Sequence, residues 1–177
     1  MNTITRLKAL DLPMLFGWFI VYSYIGWVYE TIYCSVNLGR YSDRGFMHGP
    51  ILPIYGSCIL FMILLFSERC KSIPSLFLSC AVFASSLEYV VSFSMESVFD
   101  RRWWNYSSRM FNINGRVCLE AAIVFGISGV LVIRYLHPLL VRYVKENFQP
   151  GFVKKANRVL LAIFLIDFIA SVQMSLS

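Results

Sequence analysis

Five apolar runs divide the chain, at residues 12–34, 51–66, 75–99, 117–136 and 159–174, and most polar positions gather in the connections between them. A bilayer crossing takes about 20 residues of helix. The first and third runs exceed that length, while the second and fifth are short. The pattern predicts an all-α integral membrane bundle of about five transmembrane helices, forming a single polytopic domain over residues 1–177. After the fourth run, Leu139, Leu140, Tyr143, Val144 and Phe148 recur at helical spacing against Arg142, Lys145 and Glu146. That predicts an amphipathic helix over about 138–150, lying on the cytoplasmic membrane surface or docking a soluble partner.

Proline and turn residues punctuate the runs. Pro13 suits a first helical turn, and Pro74 opens the third run after the polar turn SERCKSIPS. The first connection, VNLGRYSDRGFMHGPILPIYG, carries Gly39, Gly45, Gly49, Pro50 and Pro53. It predicts an irregular start to the second span, tolerated at membrane depth only where protein or a water-filled cavity surrounds it.

Composition fixes the class. With 58% hydrophobic and 16% aromatic residues and a mean hydropathy of +0.63, the chain is too apolar for one soluble domain. The net charge of +6 sits between apolar runs, where it reads lipid headgroups and sets topology, so no nucleic-acid partner is expected. Cys34, Cys58, Cys70, Cys80 and Cys118 form no CxxC pair, and no His or Cys set has metal spacing. No metal and no cofactor is expected in this chain. No cleavage-site pattern follows MNTITRLKALDLP, so the first run is expected to remain as an anchor.

With five crossings, ten basic residues fall on the N-terminal side (Arg6, Lys8, Arg69, Lys71, Arg134, Arg142, Lys145, Lys154, Lys155, Arg158) and six on the other (Arg40, Arg44, Arg101, Arg102, Arg109, Arg116). The excess predicts a cytoplasmic N-terminus and an extracytoplasmic C-terminus.

Charges inside the runs carry the candidate chemistry. A carboxyl near the bilayer midplane costs about 2.5–3.5 kcal/mol on insertion scales and usually faces a partner or a cavity. Glu88 lies near the middle of the third run, with Glu96 eight residues on, and Asp167 lies inside the fifth. The stretch RRWWNYSSRMFNINGRVCLE leads into the fourth run, and Arg116 and Glu120, four apart, are expected to be neighbours on one helix face. In the predicted topology Glu30, Arg44, Glu96, Arg116 and Glu120 fall at one outward level, with Glu88 below them. The expectation is a polar pocket open to the outer face, with Arg44 and Arg116 neutralising acids and Tyr55 and Asn114 supplying hydrogen bonds. The competing reading is a salt-bridge network that merely locks the helices.

RGFMHGPILPIYG, EYVVSFSMESVF and RRWWNYSSRMFNINGRVCLE together resemble the bacterial family of putative ABC transporter type IV permeases, the CmpB-like group. The resemblance covers residues 22 to about 130. It implies a small multi-pass protein of the bacterial inner membrane. By position it singles out Glu30, Arg44, Gly45, Gly49, Pro50, Pro53, Tyr55, Gly56, Glu88, Trp103, Trp104, Tyr106, Asn112, Asn114, Gly115, Arg116 and Glu120. His48 stands where that family often has tyrosine and Asn105 where it often has aspartate, which argues against a histidine- or aspartate-based catalytic scheme.

The chain has no Walker A motif, nucleophile elbow or HExxH. The leading expectation is a permease-like transporter subunit for a small polar or amphiphilic solute. Its partners would be the lipid bilayer and a separate ATPase subunit, contacted through residues 138–158, or a second copy of the chain. The alternatives are a membrane-embedded enzyme acting on a lipid or lipid-linked substrate, with two of Glu30, Glu88, Glu96 and Glu120 as acid and base, and a non-catalytic assembly factor. Whether the chain is an enzyme stays open at this point.

Overall fold

The computed structural model describes residues 11–176. The expected cytoplasmic N-terminus, with Arg6 and Lys8, lies outside the described residues. The described chain is helical throughout, apart from its connections and one isolated bridge between Ile113 and Val117. Helix α1 runs Leu12–Leu38, with Pro13 in its first turn, where its missing N–H has no helical partner to lose. Gly39 ends it in the left-handed conformation (φ 63°) and returns its N–H to the Val36 carbonyl.

Helix α2 (Pro53–Phe66) has 14 residues. At 1.5 Å per residue that is about 21 Å, short of the roughly 30 Å of a bilayer's hydrocarbon. Helix α3 (Ile73–Phe99) starts at Ser72, whose hydroxyl accepts the Ser75 N–H, and stops at Asp100, left-handed at φ 50°. Helix α4 (Leu119–Leu131) passes through a π turn (Val132–Leu136) into α5 (His137–Asn147) without a break. Pro138, which cannot donate to the Arg134 carbonyl, is the second residue after that wider turn. Helix α6 spans Pro150–Leu176. Four stretches, namely α1, α3, the continuous Leu119–Asn147 and α6, are long and apolar enough to cross a bilayer, and α2 is a shorter apolar helix.

The element bounds depart from the sequence expectation at several ends, and α1 runs on to Leu38 while α3 starts two residues early at Ile73. The second and fourth helices begin two residues later than expected, at Pro53 and Leu119, because turns occupy the residues before them. The amphipathic segment is helical but continues α4 and ends at Asn147, since the residue before Pro150 is pushed out of helical geometry. The last helix starts nine residues earlier than the apolar run, because Lys154, Lys155 and Arg158 are good helix formers even where they are not apolar.

The chain divides into two compact units, one of residues 1–56 and 144–175 and one of residues 57–143 with Leu176. In the first, α1 meets the start of α2 through paired glycines. The Tyr55 ring fills the place of a side chain at Gly26, and the Ser23 hydroxyl and the Phe19 carbonyl fill it at Gly56. Near the start of α1, Gly17 leaves room for the buried side chain of Asn157 on α6, and Lys154 pairs with Asp11 at 2.5 Å. In the second unit, a Cβ at Gly126 would come within 2.5 Å of the Phe77 ring, and one at Gly129 within 2.6 Å of the Cys80 sulfur. Small residues thus let α3 and α4 approach closely, which replaces the hydrophobic drive that lipid cannot supply. Met62, Cys70, Leu76, Cys80, Ala84 and Ile133 form that unit's core. Arg134 donates to the Cys70 and Lys71 carbonyls, both at 2.7 Å, and so closes the turn after α2.

Overpacking a filled site costs about 1–3 kcal/mol, sometimes more. Gly56→Leu should therefore lower the melting temperature of the detergent-solubilised protein sharply. Gly151→Leu, where nothing lies within 4 Å of an added Cβ, should leave it within a degree or two of the parent, as read by fluorescence-detected size exclusion after heating.

Candidate functional site

The loop from Asp100 to Cys118 folds back on α3. Its shape is set by three residues in the left-handed region besides Asp100, namely Phe111 (φ 52°), Asn114 (φ 53°) and Gly115 (φ 68°). Gly115 is required twice over. Its left-handed backbone favours glycine, and a side chain there would collide with the Ser107 hydroxyl and lie 2.7 Å from the Asn105 carbonyl oxygen. Asn112 clamps the tip: its Nδ2 donates to the Arg109 carbonyl (2.8 Å) and the Ser107 carbonyl (3.3 Å), and its Oδ1 accepts the Gly115 N–H (3.1 Å). Asn105 accepts from both the backbone N–H and the hydroxyl of Ser107.

The folded loop carries its polar groups onto one stripe of α3. Glu88, Ser92 and Glu96 recur every four residues, close to one turn apart, so they line one face with Tyr89 and Phe93 beside them. Tyr106 Oη donates to Glu88 Oε1 at 3.0 Å, on a carboxyl only 8% exposed. Arg116 is equally buried. Its Nη1 donates to Ser92 Oγ (3.1 Å), its Nη2 pairs with Glu96 Oε2, and its guanidinium lies 5.4 Å and 5.8 Å from the ring centres of Phe93 and Tyr89. Arg102 Nε reaches the other Glu96 oxygen at 2.7 Å, and its Nη1 reaches the Asn114 carbonyl at 3.2 Å. Trp104 Nε1 donates to the Arg116 carbonyl at 3.0 Å, and Asn114 Nδ2 donates to the Tyr89 hydroxyl at 2.8 Å. Trp103 stacks edge-on with Phe99 and under the Arg101 guanidinium.

The expected helix-face pair of Arg116 and Glu120 is replaced. Arg116 precedes the helix, which begins at Leu119, and points to Glu96, while Glu120 pairs with Arg109 at 3.0 Å on the exposed rim. Four residues of separation make neighbours only when both are helical. Asn114 serves Tyr89 and Arg102 rather than a carboxylate.

The first unit holds two further polar groupings. Arg44 reaches Glu30 Oε1 through Nη2 (3.2 Å) and Nε (3.3 Å). Gly45, at φ 122°, takes a conformation that favours glycine. Pro50 lies inside the tight turn that Ile51 N–H closes on the Gly49 carbonyl, and Pro53 opens α2. Tyr55 packs on Gly26 as described above. The second grouping pins this loop to α6. Gly49 N–H donates to Asp167 Oδ2 (2.9 Å), His48 N–H donates to Ser171 Oγ (3.2 Å), and His48 Nδ1 lies 2.7 Å from that hydroxyl and 3.3 Å from Asp167 Oδ1. A hydrolytic relay places serine and acid on opposite nitrogens of the imidazole. Here both meet Nδ1, so the trio is a latch.

Sequence reasoning missed Ser92, Arg102 and Ser171 as polar partners. The signal for the serines was available, since Ser92 lies four residues from both Glu88 and Glu96, and Ser171 four residues from Asp167. Arg102 carried none, because an arginine beside tryptophans also fits an interfacial anchor. Two surface grooves, one lined by Phe66, Leu78, Val82 and Phe83 among others and one by Ile73, Phe77, Ile127 and Leu131 among others, are apolar and involve none of the charged residues.

Removing the Asn112 clamp gives up three hydrogen bonds at about 0.5–1.5 kcal/mol each. Asn112→Ala should make the 100–118 loop cleavable by added protease in detergent, while circular dichroism keeps its helical signal.

No curated protein and no solved structure matches the chain significantly. A family described as "Putative ABC-transporter type IV" matches residues 17–172, a span that includes Glu30, Arg44, His48, Glu88, Glu96, Arg102, Arg116 and Asp167. The chain is therefore a member of that family, a multi-pass membrane protein of transporter type.

Proposed function

We propose that the chain is a permease-like subunit of the bacterial cytoplasmic membrane, whose Glu88–Glu96–Arg116 grouping handles a small polar or amphiphilic solute. The observation that carries this reading is the burial of Glu88 on α3 and of Arg116 in the loop packed against it, each 8% exposed, at a helix long and apolar enough to span a bilayer. Ionisable groups in such places mark solute or ion pathways by default. The side chains around them can bind but are poorly arranged for chemistry. Glu96 is held by a guanidinium on each oxygen, which makes it a counter-ion rather than a proton donor.

The chain crosses the membrane about five times, the non-helical residues before α2 completing its short second crossing, with its N-terminus cytoplasmic and its C-terminus outside. ATP-driven transport by this chain takes a separate ATPase subunit, since its sequence has no phosphate-binding loop. The basic segment around α5 and the start of α6 faces that subunit across the cytoplasmic headgroups.

Two measurements test this. The full chain, purified in mild detergent from its own cells and reconstituted in liposomes, should bring vanadate-sensitive ATP hydrolysis with it. Folded chain that repeatedly arrives without any ATPase activity would overturn the reading. In addition, Glu88→Gln should change that hydrolysis severalfold while membrane insertion and yield stay near the parent's. Parallel loss of folded protein and activity would make Glu88 part of a structural lock instead.

A further inference from the structure

We infer that Arg102, Glu96 and Arg116 form an anion site whose ligand is the net-anionic, phosphate-bearing head of an amphiphile. This names the solute class for the permease-like reading and rests on that reading for its role in transport, though not for the binding itself.

Two guanidinium groups share one carboxylate, Arg102 Nε on Oε1 at 2.7 Å and Arg116 Nη2 on Oε2. Their other hydrogen bonds go to neutral oxygens, Ser92 Oγ at 3.1 Å, and the Asn114 carbonyl at 3.2 Å. A guanidinium cannot shed its proton in a protein, so the trio keeps one positive charge in excess. Neutral acceptors satisfy the N–H groups without cancelling that charge, and Glu88, on the same stripe, lies about 12 Å along α3 from Glu96 and accepts from Tyr106. The rings of Tyr89 and Phe93, 5.8 and 5.4 Å from the Arg116 guanidinium carbon, soften it but carry no net charge.

Access and shape indicate what would cancel it. The Arg116 side chain is 9% exposed, whereas those of Arg102 and Glu96 are 34% and 30% exposed. The open side of the site is therefore Arg102 and Glu96, with Arg116 behind them. The Glu96 carboxylate already holds one oxygen on each arginine, which is the arrangement two phosphate oxygens adopt between paired guanidinium groups. Glu96 thus stands in for the ligand and competes with it. Phe93, 56% exposed beside Arg116, offers apolar surface to an attached alkyl chain. A lipid headgroup and free phosphate share the chemistry, and the exposed ring favours the lipid.

The experiment uses the full chain in detergent, with retained lipid read by native mass spectrometry after adding phosphatidylglycerol or phosphatidylcholine, and inorganic phosphate as a third arm. The parent should retain phosphatidylglycerol about tenfold better than phosphatidylcholine. Glu96→Gln, which removes the competing carboxylate, should raise that preference further. Arg102→Gln, which leaves a balanced Arg116–Glu96 pair and an intact fold, should abolish it. Inorganic phosphate that displaces phosphatidylglycerol and stabilises the parent equally would support the site while assigning it to a soluble anion. Equal retention of both lipids by the parent and by Arg102→Gln, with no effect of phosphate, would overturn the inference. Flat lipid arms alongside copurifying ATPase activity would sink the anion site and leave the permease-like reading intact. A clear preference without any ATPase would do the reverse.

Discussion

A guanidinium that never loses its charge, buried among apolar helices, must be surrounded by acceptors, and the arrangement of the second unit follows from that requirement at Arg116. Its neighbours are a carboxylate, a hydroxyl and two ring faces, all from α3. To deliver Arg116 there, the loop before α4 has to turn back on itself, and its left-handed residues and side-chain clamps serve that turn. Trp104 then holds the Arg116 carbonyl, and Tyr106 covers Glu88. The loop is thereby joined to the helix mainly through hydrogen bonds and ion pairs rather than apolar packing.

The same requirement shapes the first unit on a smaller scale. Arg44 meets Glu30 from the loop after α1, and Asp167, inside the last helix, is met by the Gly49 N–H and the His48 ring. In each case a polar connection supplies the partner that an acid on an apolar helix lacks. Helices that present hydrocarbon outward have few other places to put charge. Close helix approach, meanwhile, is left to glycines: Gly26 and Gly56 in one unit, Gly126 and Gly129 in the other.

This division of labour bears on the transporter reading. Contacts through glycines are apolar and short-ranged, so they fix helix spacing. The charged groupings sit where loops meet helices, and those are the places where a change in ligand charge would be felt most strongly. Arg102 and Arg116 share the one Glu96 carboxylate, whereas Arg44 meets Glu30 one to one. The family membership supplies the transporter class.

The helices were legible in the sequence because hydropathy over twenty residues and proline or glycine at the ends are local signals. Pro13, Gly39 and Pro74 act in the structure as their neighbours in sequence require. The candidate residues were legible for a related reason: charge inside an apolar run is conspicuous, and Glu88, Glu96 and Arg116 do meet partners. Which partners they meet was not legible. Arg116 pairs twenty residues back with Glu96 rather than four ahead with Glu120, and His48 reaches residues more than a hundred positions away. Sequence by itself determined where backbone must be helical and which side chains could not be left to hydrocarbon. Only the tertiary structure decided how those side chains pair, because a loop's left-handed turns and the spacing of packed helices set distances that linear separation does not encode.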